Sequence, residues 1–290
     1  AASAFAGGRH TAKHIILLIG DGMNIEHEIA ASRYLYGEDF ALSFHKLPYQ
    51  ADVATWDVST YKHWSDGSYD PNAIDPKLGY DPDKGGKKPF PLEPELPAAQ
   101  AYLMAKATDS ASAATAWATG YKTDDGNIAW LPGDPESGRL KTIAELLRER
   151  KGFAIGVVST VPFTHATPAA YVSHNKSRNN YHEIGDEILT MVKPEVVIGA
   201  GYPAGSSYIS TDTYNEVLND GDYLVATRAA GVDGGIAILS AAQQAAESGR
   251  KLFGLFGGSG GHFESLQPKD FPGTPLVKQA TVENPTLAEA

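Results

Sequence analysis

The chain has 290 residues, with 24 Lys and Arg against 35 Asp and Glu, for a formal net charge of −11. That balance argues against gripping nucleic acid by its backbone phosphates, although a metal or an arginine can reverse the field locally for a small phosphorylated ligand. A hydrophobic fraction of 42% and no cysteine allow a full core in one large or two smaller α/β domains. They exclude disulfides, thiolate metal sites and a cysteine nucleophile.

No apolar run reaches membrane-spanning length. Residues 1–12 read as a flexible, small and polar N-terminal segment without the apolar centre of a signal peptide. Such a segment fits either a linker or the tail left after cleavage. The run "HIILLIG" predicts a buried strand over 14–19, followed by a sharp turn at "GDGM". "IEHEIAASRYLY" predicts a helix over 25–36, and "YQADVATW" a second strand.

Residues 57–100 are rich in Pro, Gly and Asp and show no sustained period. They read as an insertion or lid. The Asp-rich runs "DGSYDPNAIDP" and "DPDKG" also suit a Ca²⁺ loop, though not with EF-hand spacing. Beyond lies "ATDSASAATAWATGYKT", a small-residue helix. Then come the helix "KTIAELLRERKG", the strand "FAIGVVST", the helix "NYHEIGDEILTMV", and the strands "EVVIGAG" and "YLVAT". The helix "ILSAAQQAAESG" and the strand "KLFGLFGG" follow. This alternation predicts an α/β fold with a mostly parallel central sheet and helices on both faces. Thr286 and Glu289 form a capping-box pattern that opens a helix. "GGHFE", with His262 and Glu264, reads as a loop.

Three stretches carry candidate chemistry. Asp21 sits between two glycines at the carboxyl end of the first predicted strand, the edge where doubly wound sheets bind ligands. Its carboxylate suits Mg²⁺ or Zn²⁺, and equally suits a turn or a helix cap. Ser110 follows Asp109 at a helix N-terminus, where free N–H groups and the helix dipole favour an anion such as phosphate. An Ala-rich buried helix capped by Asp109 is the plainer alternative. His165 and Thr167 stand at the end of a buried strand, where imidazole and hydroxyl suit a divalent cation or its waters. Arg178 carries a guanidinium shaped for bidentate phosphate contact. Taken singly, a core histidine and a solvated arginine explain the last two as well. Neither a G-x-S-x-G elbow nor a Walker A loop occurs.

Taken in order, "IILLIGDGM", "TDSASAATAWATGYKT" and "THATPAAYVSHNKSR" resemble the alkaline phosphatase family, from about residue 13 to the end of the sequence. The resemblance implies metal-dependent hydrolysis of phosphate monoesters on an alkaline-phosphatase-like three-layer sandwich, with Ser110 as the phosphorylated nucleophile. It implies that Asp109 orients the arginine and that Arg178 clamps two phosphate oxygens. Asp21 would bridge Zn²⁺ and Mg²⁺, and Thr167 would be a Mg²⁺ ligand. His165 stands where some members carry Asp, as a direct ligand or a group binding a metal water. A periplasmic or extracellular location and a homodimer are implied in the same way.

The sequence also departs from the family. The later Asp, His and Glu motifs that complete its metal sites are not found, so 13–290 resembles the N-terminal part of one catalytic domain. The expectation is an incomplete C-terminus, with a missing or separate C-terminal segment and no activity from residues 1–290 alone. Two rival readings stay open. One is a phosphodiesterase or sulfatase-like hydrolase on the same fold; the other is an inactive fragment that binds phosphate or metal.

Overall fold

The computed structural model describes residues 12–51, 53, 55–65, 68–70, 79–85, 101, 102, 104, 106–258 and 283–290. The chain divides into two compact units, Ala1–Ala51 and Asp52–Ala290.

In the first unit the helix α1, Ile25–Tyr36, matches its prediction. Asn24 caps its start by accepting from the backbone N–H groups of Glu26 and His27, and Gly37 ends it in the left-handed conformation. The Ser32 hydroxyl donates to the Glu38 carbonyl and accepts from the Ala41 N–H, which folds the chain back after the helix. A one-turn 3-10 helix, Ser43–Lys46, follows, with His45 hydrogen-bonded to Glu28 at 2.8 Å.

Two expected strands are not found among the described residues. Residues 14–19 run without strand pairing, and Ile15, Ile16, Leu17 and Leu18 are exposed. The described residues of "YQADVATW" are not strand either. A short apolar run becomes a strand only where another backbone satisfies its amides. Among the described residues no ladder reaches either run.

The second unit opens with the short helix α2, Val58–Lys62, capped by Asp57. A small antiparallel ladder, β1 Trp64–Ser65 with β2 Ser68–Tyr69, follows, and then the single turn α3, Pro82–Gly85. These are the described parts of the 57–100 insertion. The start of the insertion is tied to the segment after the small-residue helix. The Val58 N–H donates to the Thr123 carbonyl, Lys62 pairs with Asp124 at 3.0 Å, and the Asp125 N–H donates to the Ser59 hydroxyl. Trp56, Tyr61, Tyr80 and Tyr102 form an aromatic cluster of their own. Asp81 of "DPDKG" turns its side chain back on its own segment. Its carboxylate accepts from the Asp83 N–H at 2.9 Å, and its own N–H donates to the Tyr102 hydroxyl. Most of "DGSYDPNAIDP" lies outside the described residues, as do His262 and Glu264.

The main sheet follows. Its elements are α4 Ser110–Thr119, α5 Ile143–Lys151, β3 Gly156–Pro162, α6 Ala166–Ala169 and α7 Tyr181–Asp186. A π-turn, Glu187–Val192, continues α7. Then come β4 Val196–Ala200, α8 Thr211–Asp220, β5 Tyr223–Thr227, α9 Gly234–Ser248 and β6 Lys251–Phe256. The strand order is β3-β4-β6-β5, and every pair is parallel.

Successive side chains of a strand point to opposite faces, and the two cores sort accordingly. Val197, Tyr223, Phe253 and Leu255 join a cluster with α4, α6, α7 and α8 through Ala111, Ala169, Ile184 and Val217. Ile198, Ala200, Leu252 and Phe256 join Ile238, Ala241 and Ala245 of α9 on the other face. The layered α/β prediction is met: both faces of a parallel sheet carry helices. At the end of the chain the Thr286 N–H and hydroxyl donate to Glu289, and one turn forms there.

Candidate phosphate-binding site

Two of the predicted site residues meet at the head of α4. Asp109 is its N-cap, with extended backbone, and its Oδ1 accepts from the Ser112 N–H at 2.9 Å and the Ser112 hydroxyl at 2.7 Å. Ser110 is the first helical residue and is half-buried, at the positive end of the helix dipole. The helix ends at Gly120, whose φ of 80° is the left-handed conformation that favours glycine. Small residues allow close packing: Ala111 and Ala114 of α4 share a core with Ala166 and Ala169 of α6, and the two helices pack together.

Arg178, 69 residues along the chain from Asp109, reaches its Oδ2 from Nη1 at 3.0 Å. A chain of hydrogen bonds brings it there. Thr115 of α4 donates to the Asn127 carbonyl and accepts from the Ala129 N–H, which fixes residues 127–129 beside the helix. Ile128 then pairs with Asn175 in both directions, at 2.9 and 2.8 Å, and the Arg178 N–H donates to the Gly126 carbonyl at 2.7 Å. The circuit runs from the middle of α4 through two loops and returns to the cap of the same helix.

The electrostatics follow from this geometry. Burial works to raise the Asp109 carboxyl. The Ser112 N–H and hydroxyl, the Arg178 guanidinium and the Gly126 backbone outweigh it and hold the carboxyl below its ordinary value. Asp125 behaves the other way. Burial pushes it up, the Asp109 and Asp57 charges add to that, and only its ion pair with Lys106 opposes. A guanidinium held by one carboxylate at one nitrogen keeps other N–H donors for an oxyanion.

The remaining predicted residues are placed as follows. His165 precedes α6, its ring stacked on Tyr181 with centroids 5.4 Å apart and planes 13° apart, and close to Tyr208. Thr167 lies in α6, the helix packed on α4. Asp21 belongs to the first unit, in the turn closed by the Met23 N–H on the Gly20 carbonyl. Among the described residues no group of three or more His, Asp or Glu side chains is arranged to hold a metal ion. His165 and Thr167 stand together at the start of α6, an imidazole and a hydroxyl that suit a divalent cation or its waters.

Sequence reasoning missed Ser112, the Gly126 carbonyl and Asn175. Ser112 had a local signal, three residues after a capping Asp. The other two act through pairing between distant segments, which leaves no local pattern.

Residues 94–222 match the family model described as Alkaline phosphatase. That stretch contains Asp109, Ser110, His165, Thr167 and Arg178. The chain is related to the alkaline phosphatases. It is similar to Alkaline phosphatase 3 of Bacillus subtilis, 30% identical over 204 residues, which cover 67% of this chain and 34% of that protein. It is similar to Streptomycin-6-phosphate phosphatase of Streptomyces griseus, 25% identical over 96% of this chain and 55% of that protein. Among solved structures, the alkaline phosphatase from the Antarctic bacterium TAB5 is 28% identical, over 51% of this chain and 39% of that one, with a TM-score of 0.38. The α/β layering rests on the chain's own parallel ladders and not on that superposition. The chain spans from about a third to about half of the length of the two curated relatives named here.

Proposed function

We propose that this alkaline phosphatase relative hydrolyses phosphate monoesters through a phosphoserine at Ser110. The observation that carries the reading is the junction at the head of α4, where Asp109, the residue before Ser110, caps the helix and holds Arg178. In the first step the Ser110 oxygen attacks phosphorus and the ester P–O bond breaks. The serine proton ends on the departing alcohol. Water then cleaves the phosphoserine, releasing inorganic phosphate and restoring the hydroxyl. Arg178 supplies donors to the equatorial oxygens, and the helix N-terminus adds backbone N–H groups and a favourable dipole. Asp109 keeps the guanidinium in place and neutralises part of its charge.

The family kinship also supports dependence on metal ions. In this proposal Ser110, Thr167 and His165 would hold Zn²⁺ and Mg²⁺, which would act as Lewis acids. A homodimer and a location in the periplasm or outside the cell belong to the same proposal. Among the described residues no helix is long and apolar enough to cross a membrane.

The reading is tested by comparing an aryl phosphate monoester with the matching diester. Phosphate release from the monoester alone is expected. Preference for the diester would favour a phosphodiesterase on the same fold.

A further inference from the structure

An arginine side chain has four rotatable bonds, so its aim depends on how firmly its backbone is held. Around Arg178 one side chain does most of the holding. Asn175 is buried, and its Oδ1 accepts from the Ser177 N–H at 2.9 Å, which curls the backbone into a turn just before Arg178. The same oxygen accepts from the Asn180 side chain at 2.9 Å. Its Nδ2 donates to the Glu183 carboxylate at 3.0 Å, in the first turn of α7. Its backbone pairs in both directions with Ile128. Just upstream, Ser173 and His174 are pinned to the buried Glu187.

We propose that Asn175, backed by Glu183, is a positioning residue that aims the Arg178 guanidinium at the phosphate. The inference rests on the reading of Arg178 as a phosphate-binding residue. The chemistry needs an amide at this position. One oxygen must accept from two donors while the nitrogen donates to a carboxylate, and Asp offers no such donor. Asn175→Asp would set two carboxylates against each other, loosen the turn and let the guanidinium drift from the place where Asp109 holds it. Asn175 touches no reacting atom and acts only through Arg178.

The test is calorimetric titration of the full chain with inorganic phosphate, beside thermal melts. Asn175→Asp is expected to weaken phosphate about tenfold, the effect of one well-placed hydrogen bond. Combining it with Glu183→Gln exchanges donor and acceptor across the pair, and is expected to restore affinity to within about twofold of the parent. In an Arg178→Ala background Asn175→Asp should cost nothing more, because both changes act through one group. Glu183→Ala, at an exposed position, removes the tether without burying a charge, and a loss of about threefold is expected even if Asn175→Asp does not fold.

Parent-like affinity in the Asn175→Asp and Glu183→Ala forms, beside a weakened Arg178→Ala, would overturn the positioning role alone. So would an equal loss from Asn175→Asp with and without Arg178. Parent-like affinity in Arg178→Ala would overturn this role together with the reading beneath it.

Discussion

Asp109 does two jobs that substitution can separate. It caps α4 through Ser112, and it carries the charge that meets Arg178. Asp109→Asn keeps an acceptor for the Ser112 N–H, and Asn is as good an N-cap as Asp. It removes the charge opposite the guanidinium. The Asp109 and Arg178 side chains are 18% and 27% exposed, so solvent screens the pair only in part. Losing a hydrogen bond to a charged group costs about 1.5–3 kcal/mol. Asp109→Ala loses the cap as well, typically about 1 kcal/mol more. Urea unfolding at neutral pH should therefore rank the midpoints parent, Asp109→Asn, Asp109→Ala, from highest to lowest.

The pH dependence has a definite sign. The folded carboxyl lies below its ordinary value, so the stability it contributes is complete above the unfolded value and is lost as pH falls through the folded one. The gap between the parent and Asp109→Asn should close in acid. Equal midpoints for Asn and Ala, or a gap that persists after the carboxyl is protonated, would refute the division into cap and ion pair.

Three further outcomes are expected. Arg178→Ala should weaken inorganic phosphate by about 1.5–3 kcal/mol in calorimetry, while leaving bound metal, measured by elemental analysis, unchanged. Glu187→Ala removes the buried acceptor of Ser173, of the His174 backbone and of the His174 ring. It should cost about 3–5 kcal/mol in denaturant unfolding, as for a broken buried pair. Gly199→Ala would set a methyl 2.8 Å from Phe163 Cβ and 2.9 Å from its backbone nitrogen, and should lower stability by about 1–3 kcal/mol.

The parts of this molecule that the sequence reveals are those written locally. α1 follows from its cap and period, α5 from Thr142, Glu145 and Gly152, and β4, β5 and β6 from short apolar runs between helices. The runs at 14–19 and 49–56 carry the same apolar signal, and their described residues form no strand. Hydrophobicity reports what a segment would gain by burial; it does not report which backbone pairs with it. The site divides in the same way. Asp109, Ser110 and Arg178 can be picked out by residue type and motif. The route that joins them, from Thr115 through Asn127 and Ile128 to Asn175, is made of backbone partners far apart in sequence. Ser112 differs: its place three residues after a capping Asp marks it locally as the partner that completes the cap.

The most direct measurement is of the covalent intermediate. An active form of the protein, incubated with a phosphate monoester and quenched in acid, can be digested and its phosphopeptide mapped. If Ser110 at the mouth of α4 is the nucleophile, phosphate is found on Ser110 and is absent from Ser110→Ala. Phosphate on Thr108 or Ser112, or steady phosphate release by Ser110→Ala, would contradict it.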